Sequence, residues 1–168
     1  MKKIYLASII LCTLILTGCS SEQEIGSSGD DTAGQSEGFV FETEGVSLFI
    51  DATVEETVDL LEEEADCFEA ASCANDGMDI IYTYDNFVVT FYEENDESII
   101  YLITLTSDLV STQEGIVIGS VSEDIISAYG EPSSESSSLL SYESETMELR
   151  FILVDDAVVS IEYYKLFD

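Results

Sequence analysis

Four runs of the chain alternate apolar and polar side chains: Phe87 to Tyr92, Ile99 to Leu105, Met147 to Val154 and Ala157 to Tyr164. A period of two sends successive side chains to opposite faces, so the pattern predicts strands, with shorter ones over Ile80 to Tyr84 and Leu139 to Tyr142. Asn95-Asp96 and Asp155-Asp156 fall where hairpins need tight turns. Ahead of each strand set the period changes. Ala52 to Leu61 and Ser120 to Tyr129 line up as two capped amphipathic helices, the second capped by Ser120 or Ser122 and stopped by Gly130 and Pro132. No second domain boundary is visible between Phe39 and Asp168, and about 130 residues suit one compact domain.

Counting by twos assigns the faces. Phe87, Val89, Phe91, Ile100, Leu102, Met147, Leu149, Phe151, Leu153, Val159, Ile161 and Tyr163 form the more apolar set, expected to pack inward. The reverse set holds Val88, Thr90, Tyr92, Ile99, Tyr101, Ile103, Glu148, Arg150, Ile152, Ser160, Glu162 and Tyr164. Its mixture of tyrosine, aliphatic and charged groups suits a contact patch, while a loop or the other half of the chain could equally cover it.

Gly115-Ile116-Val117-Ile118-Gly119-Ser120, then Asp124-Ile125, then Ala128-Tyr129-Gly130-Glu131-Pro132 form a phrase that resembles the β-lactamase-inhibitor-protein-like repeat, shared with the small lipoprotein of outer-membrane assembly machines. The first copy lacks Gly at position 51 and the Gly-Pro stop. The resemblance implies an α+β fold of two tandem repeats, over 46–106 and 115–165. Each repeat would be a helical segment followed by an antiparallel meander of about three strands, with the helices on one sheet face. It also implies a sheet face that grips another protein, here carried by Tyr92, Tyr101, Arg150 and Tyr164. β-Lactamase inhibition follows from the family name alone.

The start of the chain carries an address. Met1-Lys2-Lys3 precedes thirteen apolar-dominated residues, Ile4 to Leu16, and then Thr17-Gly18-Cys19. This resembles a bacterial lipoprotein signal, which implies cleavage between Gly18 and Cys19 and acylation of Cys19 by palmitate-type chains. The apolar run falls short of the roughly 20 residues a transmembrane helix needs. The expected organisation is therefore a signal peptide over 1–18, an acylated Cys19 with a polar, acidic tether to residue 38, and a domain over 39–168. The corresponding location is the cell membrane, lipid-anchored on the extracellular side of a Gram-positive-type envelope.

Charge narrows the partners. Beyond residue 18 the chain has 36 carboxylates against Arg150 and Lys165, a net charge of −34. Nucleic acid is excluded, because neutralising phosphates requires clustered Lys and Arg. An unidentified envelope or extracellular protein remains as the partner. Calcium or small-ligand sensing is the alternative, although neither Asn75 to Asp79 nor Glu93 to Glu97 has EF-hand spacing and both suit turns.

Catalytic residue types are sparse. The chain has no histidine, and no serine has an evident neighbouring base. No enzymatic activity and no cofactor are expected. An oxidising exterior favours a disulfide between Cys67 and Cys73, with free buried thiols as the alternative; on one helix the two would face apart, so a bridge needs the helix to end or bend near Ala70 to Ser72. Arg150 is expected to pair with Glu148 on its own strand or Glu162 across the hairpin.

Overall fold

The computed structural model describes residues 38–61, 64–72 and 77–167. The chain runs β1 (Phe41–Thr43), β2 (Val46–Leu48), α1 (Val54–Leu61), β3 (Asp66–Ala71), β4 (Met78–Thr83), β5 (Phe87–Glu94) and β6 (Glu97–Leu105). It continues through α2 (Ser122–Tyr129), β7 (Ser134–Ser136), β8 (Leu139–Glu143), β9 (Met147–Val154) and β10 (Ala157–Lys165). Strands β3 to β10 make one antiparallel eight-stranded sheet in the order β3-β4-β5-β6-β10-β9-β8-β7, and β1 and β2 form a separate hairpin.

The expected α+β architecture of two repeats with helices packed on one sheet face does not form. The protein is mostly β, and dimensions give the reason. Eight strands about 4.8 Å apart are roughly 34 Å wide, whereas each eight-residue helix is about 12 Å long. Two such helices cannot layer that sheet. Much of the cover over the core comes from the β1–β2 hairpin through Phe41 and Leu48, from Ile50, and from Ile116 in the loop before α2, all buried. The helices add Leu61 and the fully buried Ile125.

Both edge strands escaped the alternation pattern. β3 reads Asp-Cys-Phe-Glu-Ala-Ala and β7 reads Ser-Glu-Ser, and both are almost wholly exposed. Short, charged edges discourage pairing with a further strand. Cys67, expected on a helix that bends before Cys73, lies exposed on β3 opposite Tyr82. Cys73, and with it the expected bridge, lies outside the described residues.

The two central hairpins turn as expected. Asn95 and Asp96 have φ of 53° and 68°, and Asp155 and Asp156 have 51° and 67°, the doubly left-handed geometry of a two-residue turn that follows the twist of the strands. Parity failed at two bulges. Between β5 and β6 the register shifts, so Phe91 opposes Ile100 while Thr90 opposes Leu102, leaving Tyr101 as the extra residue. Ile103 consequently points into the core at 1 % exposure, and Leu102 packs on the reverse face. A second bulge at Val159 buries Val158 and leaves Val159 outside. An extra residue reverses every subsequent assignment made by counting in twos.

The helix starts differ in chemistry. The backbone N–H and hydroxyl of Thr53 both donate to Glu56 Oε2 at 3.0 Å, and Glu56 N–H donates to Thr53 Oγ1 at 3.3 Å, a reciprocal capping box. These bonds, led by the one from the Thr53 backbone, hold the Glu56 carboxyl below its ordinary pKa. Their contribution is present above the ordinary value of 4.5 and lost as pH falls through the folded-state value. At α2 neither Ser120 nor Ser122 caps. Val121 occupies the cap position with no side-chain hydrogen bond, while the Ser120 hydroxyl accepts from Val117 N–H and Ser122 donates to Asp156. Val121→Thr is expected to stabilise the fold by about 0.5–1 kcal/mol and Thr53→Ala to cost about 1 kcal/mol. Urea midpoints at pH 7 check both, and the Thr53→Ala deficit should shrink in acid.

Candidate functional site

The reverse face of the sheet gathers the sequence-selected residues. β5 carries Tyr92, the β6 bulge carries Tyr101, β9 carries Arg150 and β10 carries Tyr164. The rings of Tyr92 and Tyr101 meet edge-on at 5.5 Å, and those of Tyr101 and Tyr164 at 6.3 Å. The Arg150 guanidinium lies 3.9 Å from the centre of the Tyr164 ring, and its Nε donates to Glu148 Oε2 at 2.6 Å. Four residues from four strands thus form one continuous strip.

Their exposure divides them. Tyr92 and Tyr101 are 7 % and 5 % exposed, whereas Arg150 and Tyr164 are half-buried. Phe167, just beyond β10, seats its ring against Tyr92 at 5.2 Å, Tyr164 at 5.9 Å and Tyr101 at 6.0 Å. The Tyr92 and Tyr164 contacts are edge-to-face, bringing the positive rim of one ring to the negative face of another, so they stabilise beyond area burial alone. The patch is a small second core with an accessible side.

Sequence reasoning missed three polar contributors. Asp79, read as part of a turn, belongs to β4 and is 7 % exposed. Its Oδ2 accepts from the Tyr101 hydroxyl at 2.9 Å, while Oδ1 is buried without a hydrogen-bond partner. Glu94 accepts from the Tyr92 hydroxyl at 2.7 Å, which lowers the Glu94 pKa. Burial, followed by that hydrogen bond, raises the Tyr92 pKa. Lys165 Nζ contacts Asp51 Oδ1 at 2.5 Å and Glu94 Oε2 at 3.4 Å, and stands 5.8 Å from the Tyr92 ring. Burial opposes the Lys165 charge, but the hydrogen bond and attraction of Asp51 outweigh it and its pKa is raised. The one available signal was Asp79 itself, a charge beside Ile80-Ile81 at the head of an apolar run.

Glu162 lies opposite Arg150 in the β9–β10 ladder. Burial raises its pKa above the ordinary 4.5, the attraction of Arg150 opposes the rise and Glu148 adds to it. A raised carboxyl stabilises the fold fully below 4.5, and this contribution disappears as pH rises through the folded-state value. Glu162→Gln should therefore be more stable than the parent at pH 7, with the gap closing toward pH 4.5. Urea midpoints across that range check the sign, and a deficit at pH 7 would mean that the attraction of Arg150 dominates.

Elsewhere, a cleft of about 470 Å³ is lined by Glu69, Met78, Ile80, Tyr92 and Glu93, and a second of about 620 Å³ by Glu55, Glu56, Asp59 and Glu97. The Thr53 hydroxyl that donates to Glu56 Oε2 borders the second cleft as part of the α1 capping box. Among the described residues no group of three or more acidic, histidine or cysteine side chains is placed to hold a metal ion, and no helix is long and apolar enough to cross a membrane. Gly18 and Cys19, with the expected signal and tether, lie outside the described residues. The chain matches no protein-family model, no curated protein and no solved structure.

Proposed function

We propose that the protein is a non-enzymatic binding module, tethered through an acylated Cys19 to the outer side of a Gram-positive-type membrane, that docks an envelope or extracellular protein on its reverse sheet face. One observation carries the docking reading: Arg150 and Tyr164 stay half-exposed in the centre of the sheet, stacked on each other and flanked by the partly exposed Leu102 and Ile152. A guanidinium on an aromatic ring beside aliphatic side chains is the composition of an interface hot spot. Membrane attachment rests on the resemblance of residues 1–19 to a lipoprotein signal; two or three acyl chains suffice for stable anchoring without an apolar protein surface.

Photo-crosslinking on intact cells, with the reactive group at position 152, tests the docking face. A defined adduct lost in Arg150→Glu and Tyr164→Ala supports it; an adduct unchanged in both removes the site. Cys19→Ser should release folded protein into the medium and abolish palmitate labelling. Retention of the variant in the membrane would contradict the lipid anchor.

A further inference from the structure

The distribution of positive charge within this acidic chain identifies the chemistry that the tyrosine strip accepts. Beyond Lys3 the sequence has two cations, Arg150 and Lys165, among 36 carboxylates. Besides their carboxylate partners, Glu148 for Arg150 and Asp51 and Glu94 for Lys165, both cations are positioned over rings of the same cluster, Arg150 over Tyr164 at 3.9 Å and Lys165 over Tyr92 at 5.8 Å. The negative faces of tyrosine rings attract cations, more strongly where water is excluded. Within the cluster Asp79 is more than nine-tenths buried and has one carboxylate oxygen satisfied by Tyr101 and the other by no donor. A buried carboxylate oxygen without a donor is costly, and a cationic N–H group is the donor that best relieves it.

The third feature is the occupant already present. Phe167 fills the space between Tyr92, Tyr101 and Tyr164 but remains 38 % exposed. Its hold is short: Leu166 N–H donates to Thr146 O at 2.9 Å, and Lys165 is tied to Asp51. An aromatic ring just beyond β10 and the lysine that ends β10 are what this basin holds in the free protein.

We propose that the tyrosine basin is a receptor for a partner's peptide segment that combines a lysine or arginine with an aromatic ring, and that Lys165-Leu166-Phe167 stands in for that segment until the partner displaces Phe167. The incoming cation donates to Asp79 Oδ1 and lies against the Tyr92 and Tyr101 rings; the incoming aromatic side chain takes the seat of Phe167. The net charge of −34 draws such a segment in and makes its association salt-dependent. This inference rests on the docking reading of the same face and supplies the partner's chemistry.

The probe is a fluorescein-labelled peptide of two Lys-Leu-Phe units, titrated by fluorescence polarisation against the full domain, with Glu-Leu-Phe and Lys-Leu-Ala peptides as controls. Saturable binding is expected for the first peptide only. Phe167→Ala should tighten it at least about fivefold, because a competing plug reduces the competent fraction of the receptor. Asp79→Asn should weaken it about tenfold or more, whereas Tyr101→Phe, which keeps the ring and takes the donor away from Asp79 Oδ2, should bind at least as tightly as the parent. A loss of binding in Tyr101→Phe overturns Asp79 as the acceptor even if Asp79→Asn melts early by circular dichroism. Equal binding of the Glu peptide, or no gain in Phe167→Ala, overturns the proposal. A concentration-dependent dimer abolished by Phe167→Ala in sedimentation would assign the basin to a second copy's tail and overturn it as well. If the crosslink at position 152 depends on Arg150 and Tyr164 but the Lys peptide does not bind, the docking face stands and the cationic-aromatic chemistry falls.

Discussion

Phe41→Ala is expected to lower the free energy of unfolding by about 3–5 kcal/mol, the range for truncating a fully buried phenylalanine. Phe41 is 0 % exposed and links two elements that share no strand pairing. From the β1–β2 hairpin it reaches Phe87 at the start of β5, with ring centres 5.1 Å apart, and Tyr163 on β10 at 5.9 Å. The hairpin turns on Glu44 and Gly45, both left-handed, and has only three residues per strand. A two-stranded hairpin of that size has little stability of its own. Its place on the sheet therefore depends on what Phe41 and Leu48 bury. Typical domains are stable by 5–15 kcal/mol, so the variant should sit near its unfolding threshold. Urea denaturation checks this. The midpoint should fall with an unchanged slope if the hairpin unfolds with the sheet, and a fall in slope would reveal that it detaches first. A loss below about 1 kcal/mol would contradict the assigned core.

Gly130→Ala should cost about 1–3 kcal/mol, the scale of forcing a side chain into a backbone region that glycine alone enters freely. Gly130 ends α2 with φ 82° and ψ −152°. Its N–H donates to Ile126 O at 2.9 Å, and its carbonyl accepts from the Tyr142 hydroxyl at 3.0 Å. The residue is thus fixed from both sides and cannot relax without breaking a bond. No atom lies within 4 Å of the position its Cβ would take. The cost is consequently backbone strain and not collision, which makes the site a clean measurement. Glu131→Ala, at the exposed neighbour, should shift the thermal midpoint by almost nothing. A drop of several degrees confined to Gly130→Ala confirms the strain; equal shifts in both variants would remove it.

The long strands were legible because they are dense in β-branched and aromatic residues, and Asn95-Asp96 and Asp155-Asp156 mark their turns. The ten-strand outcome was not, for reasons carried by particular residues. β3 and β7 have no apolar period, since an exposed edge has no inner face to encode. Their strand character comes from pairing with β4 and β8, a tertiary influence that local sequence does not record. The helical segments were correctly located, but the pattern over Ala52 to Leu61 could not convey that two turns of helix leave most of a wide sheet to be covered by hairpin and loop. The bulges at Tyr101 and Val159 exchanged faces for Leu102, Ile103 and Val159 without any glycine to mark them. At the candidate site, Tyr92, Tyr101, Arg150 and Tyr164 did come together as parity required. Phe167 lies beyond the last alternating residue, and Asp79 sits among acids that read as a turn. Phe167 has no sequence signal that separates it from its surroundings, and Asp79 has only its place at the head of Ile80-Ile81.

The scarcity of basic residues has a further consequence for proteolysis. Trypsin cuts after lysine and arginine, and between residues 38 and 168 it has only Arg150 and Lys165 to recognise. Arg150 is in the middle of β9, paired on both sides to β8 and β10, and Lys165 is the last residue of β10. A protease must hold its substrate as an extended, unpaired segment, so scission at Arg150 requires the centre of the sheet to come apart. The β8–β9–β10 ladder should therefore shield Arg150 from trypsin for as long as it holds, and the rate of scission there reports how much of the protein has that ladder open.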